Sequence, residues 1–119
     1  MYERPLAYVC SPLKGDSTSN LRRAKQYARK IFDAGYEPFV PHLYYTTFLN
    51  DNLADERKAG ILMGLNHLKK CKILIVCTKE ISDGMLTEIN EAKRLAIPIV
   101  YLEGMVQHTP TVSQIRPVI

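Results

Sequence analysis

No apolar run in this 119-residue chain approaches the ~20 consecutive residues a helix needs to cross a bilayer, so no membrane partner is expected. Glycine-rich signatures are missing too: neither a dinucleotide fingerprint nor a Walker-type phosphate loop is present, which removes the commonest cofactor and triphosphate readings, and no cofactor is expected. Cysteine is scarce. Cys10, Cys71 and Cys77 have no metal-ligand spacing, and two of them fall within or at the ends of apolar runs, where a free thiol behaves as a small hydrophobe; reduced structural thiols are the expectation. There is no basic tract. The 16 Lys and Arg are scattered through helical patterns and the net charge is only +4, which suits a small phosphorylated ligand and gives no support for a nucleic acid polymer as partner. Met1 to Pro5 carry neither a basic leader nor a cleavage site, so a cytoplasmic location is expected. No internal repeat or low-complexity stretch interrupts the chain.

What is present is ordinary globular material. A hydrophobic fraction of 46% with 24% charged residues belongs to a chain that folds around one core, and at this length roughly two-thirds of the unfolded surface can be buried. One domain over 1–119 is expected, with its core in 6–102 and a tail over 103–119 that carries Pro110 and Pro117. Leu6 to Cys10 reads as a strand followed by turn chemistry from Ser11 to Asp16. From Asn20, apolar positions at Leu21, Ala24, Ala28, Ile31 and Phe32 have helical spacing, with Asp16, Ser17, Ser19 or Asn20 as caps and Gly35 as the stop. Tyr36 to Val40 reads as a second strand, and Pro41 to Phe48 as an aromatic-rich loop able to wall a pocket. A second helix runs to about Lys70, with Asn50, Asp51 or Asn52 near its start and Leu53, Ile61, Leu62, Leu65 and Leu68 as its apolar face. Gly60 and Gly64 within it suggest close packing against a neighbour or a ligand. Ile73 to Cys77 is a third strand, Gly84 to Leu95 a third helix, and Pro98 to Leu102 a fourth strand.

Strands alternating with helices imply right-handed crossovers and a small, doubly wound, mostly parallel α/β sheet, expected in the order 2-1-3-4. That order sets the first and third strands side by side with their crossovers on opposite faces, which brings the loop Ser11 to Asp16 beside the loop Thr78 to Gly84 at the carboxyl edge, where open sheets bind ligands. The crevice holds Ser11, Lys14, Gly15, Ser82 and Gly84, and two helix N-termini whose free N–H groups favour anions. Glu88, just inside the third helix, is the leading candidate for the working residue. Each of these has a plainer reading as well. Glu88 could be an acid placed near a helix start by the macrodipole, Asp83 an N-cap, Ser82 a turn hydroxyl, His42 a loop residue, and Arg57 with Lys58 a solvated face.

The run Tyr8-Val9-Cys10-Ser11-Pro12-Leu13-Lys14-Gly15, then Gly35-Tyr36, Pro41-His42-Leu43, Glu56-Arg57, Gly60, Ile81-Ser82-Asp83-Gly84-Met85 and Glu88-Ile89, resembles the nucleoside 2-deoxyribosyltransferase-like superfamily along residues 6 to 102. Within it the chain looks most like a branch of small bacterial and phage proteins related to nucleoside 5′-monophosphate N-glycosidases. The resemblance implies a Rossmann-like sheet and homo-oligomers, dimeric or larger, with sites near subunit interfaces. It also implies a glutamate at the position of Glu88 that attacks the anomeric carbon of a nucleoside or nucleotide, giving base transfer or hydrolysis.

By the same resemblance Ser82 contacts phosphate and Lys14 stands for an arginine of the first loop. Tyr8, Ser11, Gly15, Asp83, Gly84, Met85 and Arg57 complete the substrate contacts, with His42 and Tyr44 near the base. Departures from the pattern are Ser11-Pro12 in place of Gly-Ser, Lys72 in place of aspartate, and Gly64 where the hydrolases carry a second catalytic acid. Asp83, His42, Asp51 or a neighbouring subunit would then supply the proton for the leaving base. The alternative is a catalytically degenerate nucleotide-binding or sensing module of the same fold.

Overall fold

A computed structural model describes residues 2–103; the tail expected over 103–119 lies, but for Glu103, outside the described residues. Eight elements follow one another: β1 (Leu6–Cys10), α1 (Ser17–Asp33), β2 (Glu37–Phe39), α2 (Pro41–Tyr45), α3 (Ala54–Leu68), β3 (Ile73–Val76), α4 (Asp83–Arg94) and β4 (Ile99–Tyr101). The four strands form one parallel sheet in the order β2-β1-β3-β4, as the alternating pattern predicts. From β1 the chain moves one way to β2 and from β2 onward the other way. Right-handed crossovers therefore place α1 on one face and α3 and α4 on the other.

Strand alternation divides the core accordingly. Ala7, Val9, Ile73 and Ile75 pack beneath α1 with Ile31, Ala34 and Tyr36. Tyr8, Cys10, Leu74 and Val76 point to the opposite face and meet Leu68 of α3 and Met85, Ile89 and Ala92 of α4. The central pair is in register Ala7↔Ile73 through Cys10↔Val76, so both strands end level at the carboxyl edge.

Local chemistry sets the helix limits, in places differently from the sequence reading. α1 starts at Ser17, and of the four expected caps it is Asp16 that serves, its side chain accepting the Ser19 N–H at 3.3 Å. It stops at Gly35, whose φ of 105° suits glycine. There the Tyr36 N–H reaches the Ile31 carbonyl at 3.3 Å and the Gly35 N–H that of Phe32 at 3.0 Å, the pair of bonds that closes a Schellman C-terminus. The expected loop after β2 instead begins with a helix, α2, because Pro41 occupies its first turn, where the missing N–H has no partner to lose.

The start of α3 is Ala54 with Leu53 as its N-cap, and neither Asn50, Asp51 nor Asn52 caps it through a side chain. Glu56 reaches back instead to the Asn50 N–H at 2.8 Å. Its inner face also departs from expectation: Leu53 and Leu62 are exposed, and Leu68, Leu65 and Gly64 face inward. The helix approaches β1 through glycine rather than leucine. A Cβ on Gly64 would lie 2.9 Å from the Tyr8 hydroxyl, and one on Gly60 3.5 Å from Leu49. Close approach of a small-residue stripe, not the count of apolar residues, decides which side of α3 is buried. At α4, Ser82 and not Asp83 is the N-cap, accepting the Met85 N–H at 3.3 Å.

Candidate functional site

At the carboxyl edge of the sheet the β1–α1 loop, α2, α3 and the start of α4 enclose a cavity of about 640 Å³, a volume suited to a small organic ligand. Of the residues expected there, Tyr8, Ser11, Lys14, Gly15, His42, Arg57, Ser82, Asp83, Gly84, Met85 and Glu88 all line it. Tyr44 does not. It is 58% exposed, and its ring packs edge-on against Tyr45 and Phe48. Because Pro41 to Tyr45 is helical, Pro41 and Tyr45, four apart, share the inward side, and Tyr45 takes the wall position. The sequence reading also missed Thr46, Leu49, Glu56 and Thr87 as lining residues. A proline opening a helix was the available signal for α2.

Glu88 sits at the floor. Met85, Glu88, Ile89 and Ala92 make up the buried face of α4, so the i, i+3, i+4 spacing that holds the helix on the sheet also turns the carboxylate inward. It is 7% exposed and stands one turn deeper than the first turn, beyond the reach of a macrodipole explanation. Its Oε2 accepts a hydrogen bond from the Tyr8 hydroxyl at 2.5 Å, across 80 residues of sequence.

Burial pushes the Glu88 carboxyl up to about 7, with the Tyr8 hydroxyl and the Cys10 thiol acting in the opposite direction. Burial, reinforced by the Glu88 charge, holds Tyr8 well above its usual range, so Tyr8 keeps its proton and remains a donor. Cys10 donates to the Met85 carbonyl at 3.8 Å, and Glu88 Oε1 is left buried with no hydrogen-bond partner.

A second orphan lies on the same wall. Ser11, 1% exposed, has its Oγ buried and unpartnered, a rare condition for a polar atom in a folded interior. Its carbonyl is taken by His42 Nε2 at 2.5 Å. A carbonyl can only accept, so Nε2 carries the proton, and burial lowers the His42 pKa, leaving a neutral ring despite the opposing pull of that bond and of Asp51. Lys14 and Arg57, both exposed at the rim, form no ion pair among the described residues. At Gly15, with φ 102°, and at Gly84, an added Cβ would meet nothing within 4 Å, so the backbone of both loops is open. Among the described residues no group of three His, Cys, Asp or Glu could hold a metal ion, and no helix is long and apolar enough to cross a membrane.

A buried carboxylate at the switch point of a four-stranded parallel sheet, opening into a ligand-sized cavity, defines the chain as a small Rossmann-like α/β protein with a candidate site at its carboxyl edge. A solved 2-deoxyribosyltransferase from the psychrotolerant bacterium Bacillus psychrosaccharolyticus has the same fold, with a TM-score of 0.64 over 81% of this chain and 70% of that one, at 18% identity. Residues 5–102 match the family described as "Domain of unknown function (DUF7768)", and the chain belongs to that family. No curated protein sequence matches it.

Proposed function

We propose that this protein cleaves or transfers at the N-glycosidic bond of a nucleoside or nucleoside 5′-monophosphate, with Glu88 as nucleophile, and that it is a single-domain member of the nucleoside 2-deoxyribosyltransferase-like superfamily. The observation that carries the reading is Glu88 itself: it lines the cavity, Tyr8 holds one of its oxygens, and the other, Oε1, is buried and unpartnered. A carboxylate so held suits attack on an oxocarbenium-like anomeric carbon. The Glu88 Oε1–C1′ bond forms as the C1′–N bond breaks, and the leaving base takes up a proton. A second base, or water, then releases the sugar from the glutamyl ester.

Asp83 is the wall acid that can supply the proton, with a residue of a neighbouring subunit as the other source. His42 drops out of that role, since its one N–H is committed to the Ser11 carbonyl and the ring is neutral. Lys14, the α4 N-terminus and the Ser82 hydroxyl would receive a 5′-phosphate or 5′-hydroxyl. Exposed Leu62, Met63 and Leu86 on α3 and α4 support a homo-oligomer in which a second copy covers this flank. The protein is further proposed to act in the cytoplasm on small molecules, without a membrane or nucleic acid polymer as partner.

Incubation with nucleosides and nucleoside 5′-monophosphates, with and without a second free base, followed by chromatography of released or exchanged base, tests the reading. Turnover in the wild type that falls by about 10³-fold or more in Glu88→Gln supports it. One observation favours a second reading, a binding module without chemistry: α3 presents Gly64 to Tyr8, so no side chain from that position faces Glu88. Ligand-dependent thermal stabilisation without turnover would favour that module.

A further inference from the structure

Two polar groups on one wall of the cavity are hydrogen-bond acceptors with nothing to accept. His42 uses Nε2–H on the Ser11 carbonyl, and in the neutral ring that burial favours, Nδ1 is then a lone pair. That nitrogen has no partner among the described residues and is not fully buried, and His42 lines the cavity. Asp51, close enough for its charge to act on His42, also lines the cavity and makes no hydrogen bond through its carboxylate. The hydroxyl of neighbouring Thr46 is spent on the His42 carbonyl at 2.5 Å and offers no proton.

Around these acceptors stand Tyr45, Leu49 and Ile61, apolar surfaces against which a flat ring can lie, with Gly60 keeping the wall thin where Leu49 and Tyr45 pack on it. The anion-accepting features, Lys14, Gly15, Ser82 and the start of α4, come from different loops. The cavity wall as a whole carries four carboxylates, Asp51, Glu56, Asp83 and Glu88, against Lys14 and Arg57. A ligand rich in N–H donors suits that balance.

We propose that the wall formed by α2, the turn after it and α3 selects nucleobases bearing an exocyclic amino group, with His42 Nδ1 and the Asp51 carboxylate as the acceptors that read it. The inference rests on the nucleoside reading of the cavity and deepens it by naming the base class. An amino group donates to both acceptors. An oxo group at the same place would set a third acceptor against them, leaving desolvated lone pairs unpaired, the situation in which a site discriminates best. His42 is thereby a specificity-determining residue and not the proton donor for the leaving base. Arg57 is the competing influence, because an exposed guanidinium at the rim could instead reward a carbonyl.

The test compares adenosine with inosine and cytidine with uridine, pairs that differ in this group and in the ring nitrogen beside it, a lone pair in the amino member and an N–H in the oxo member, by calorimetric titration of the full-length protein carrying Glu88→Gln, so that turnover does not intrude. The amino member of each pair is expected to bind about tenfold more tightly. His42→Gln offers an amide N–H to the Ser11 carbonyl and also an amide oxygen that accepts in place of the ring nitrogen, so the preference is expected to weaken only in part at an unchanged melting temperature. His42→Phe, which deletes both functions, serves as the second variant and is expected to lose the preference.

Equal binding of the two members of each pair, preference for the oxo member, or a preference that survives in His42→Phe or stays undiminished in His42→Gln would overturn the inference while leaving the nucleoside reading intact. Binding of none of the four, repeated with wild-type protein and with the corresponding 5′-monophosphates, would overturn the nucleoside reading and the inference with it.

Discussion

The two faces of the sheet are built from alternate residues of the same strands, yet they are finished differently. Under α1, Ala7, Val9, Ile31, Ile73 and Ile75 close into an aliphatic layer. Under α3 and α4 the corresponding layer contains Tyr8 and Cys10, borders a cavity, and leaves Ser11 Oγ and Glu88 Oε1 buried without partners. Orphaned polar atoms each oppose folding by an amount comparable to a lost hydrogen bond. The first face therefore carries stability and the second gives some of it up at the place where a ligand would complete the hydrogen bonding.

By that contrast, trimming an aliphatic side chain beneath α1 destabilises the chain, whereas removing an orphaned polar group beside the cavity does not. The largest effect is expected for Ile75→Ala beneath α1, a loss of about 3 kcal/mol in urea unfolding, since a fully buried isoleucine leaves a cavity that rigid neighbours cannot fill.

Glu88→Gln is expected to act the other way above neutral pH. The Glu88 carboxyl is raised from 4.5 to about 7, so between those values the folded chain binds more protons than the unfolded one and stability falls as pH rises. Its stabilising contribution is complete below about pH 4.5 and lost by the time pH passes about 7, a swing of about 3 kcal/mol. Unfolding followed from pH 4.5 to 8.5 should show this slope in the wild type and a flatter profile in Glu88→Gln. If Glu88 is the nucleophile, activity rises over the upper part of the same interval as the carboxylate forms.

Gly64→Ala probes the junction between the faces. Its methyl group would lie 2.9 Å from the Tyr8 hydroxyl, so a loss of about 2 kcal/mol is expected from overpacking, with a fall in activity as the bond to Glu88 is displaced. An unchanged melting curve would mean that Tyr8 can move without consequence. The smallest effect belongs to Ser11→Ala. Removing a buried hydroxyl that has no partner should leave stability unchanged or raise it by up to about 1 kcal/mol, while ligand affinity falls. Destabilisation by Ser11→Ala would break the comparison.

Much of the scaffold was legible before any coordinates. Apolar runs placed β1 and β3 within a residue of their ends, helical spacing marked α1 and α4, and the alternation of elements led to the strand order. The loops that meet at the carboxyl edge followed from that order. Legibility failed where a face is chosen by contact and not by period. α3 buries Gly64 and Leu68 while Leu53 and Leu62 look outward, because a glycine stripe lets the helix come close to Tyr8. Tyr44 was expected near the base, and reading 41–48 as a loop left no rule for which side chains share a side, so Tyr45 was not singled out within it.

By itself the sequence determined the four strands and three of the helices, their parallel order and the meeting of the Ser11–Asp16 and Thr78–Gly84 loops, since strand alternation, helical period and crossover handedness act locally or through connectivity. Only the tertiary structure decided that Glu88 is buried with a carboxyl raised to about 7, that its partner is a tyrosine 80 residues away, that Gly64 makes room for that tyrosine, and that the His42 proton points at a backbone carbonyl. Desolvation and long-range hydrogen bonds depend on which surfaces are pressed together, and that is a property of packing.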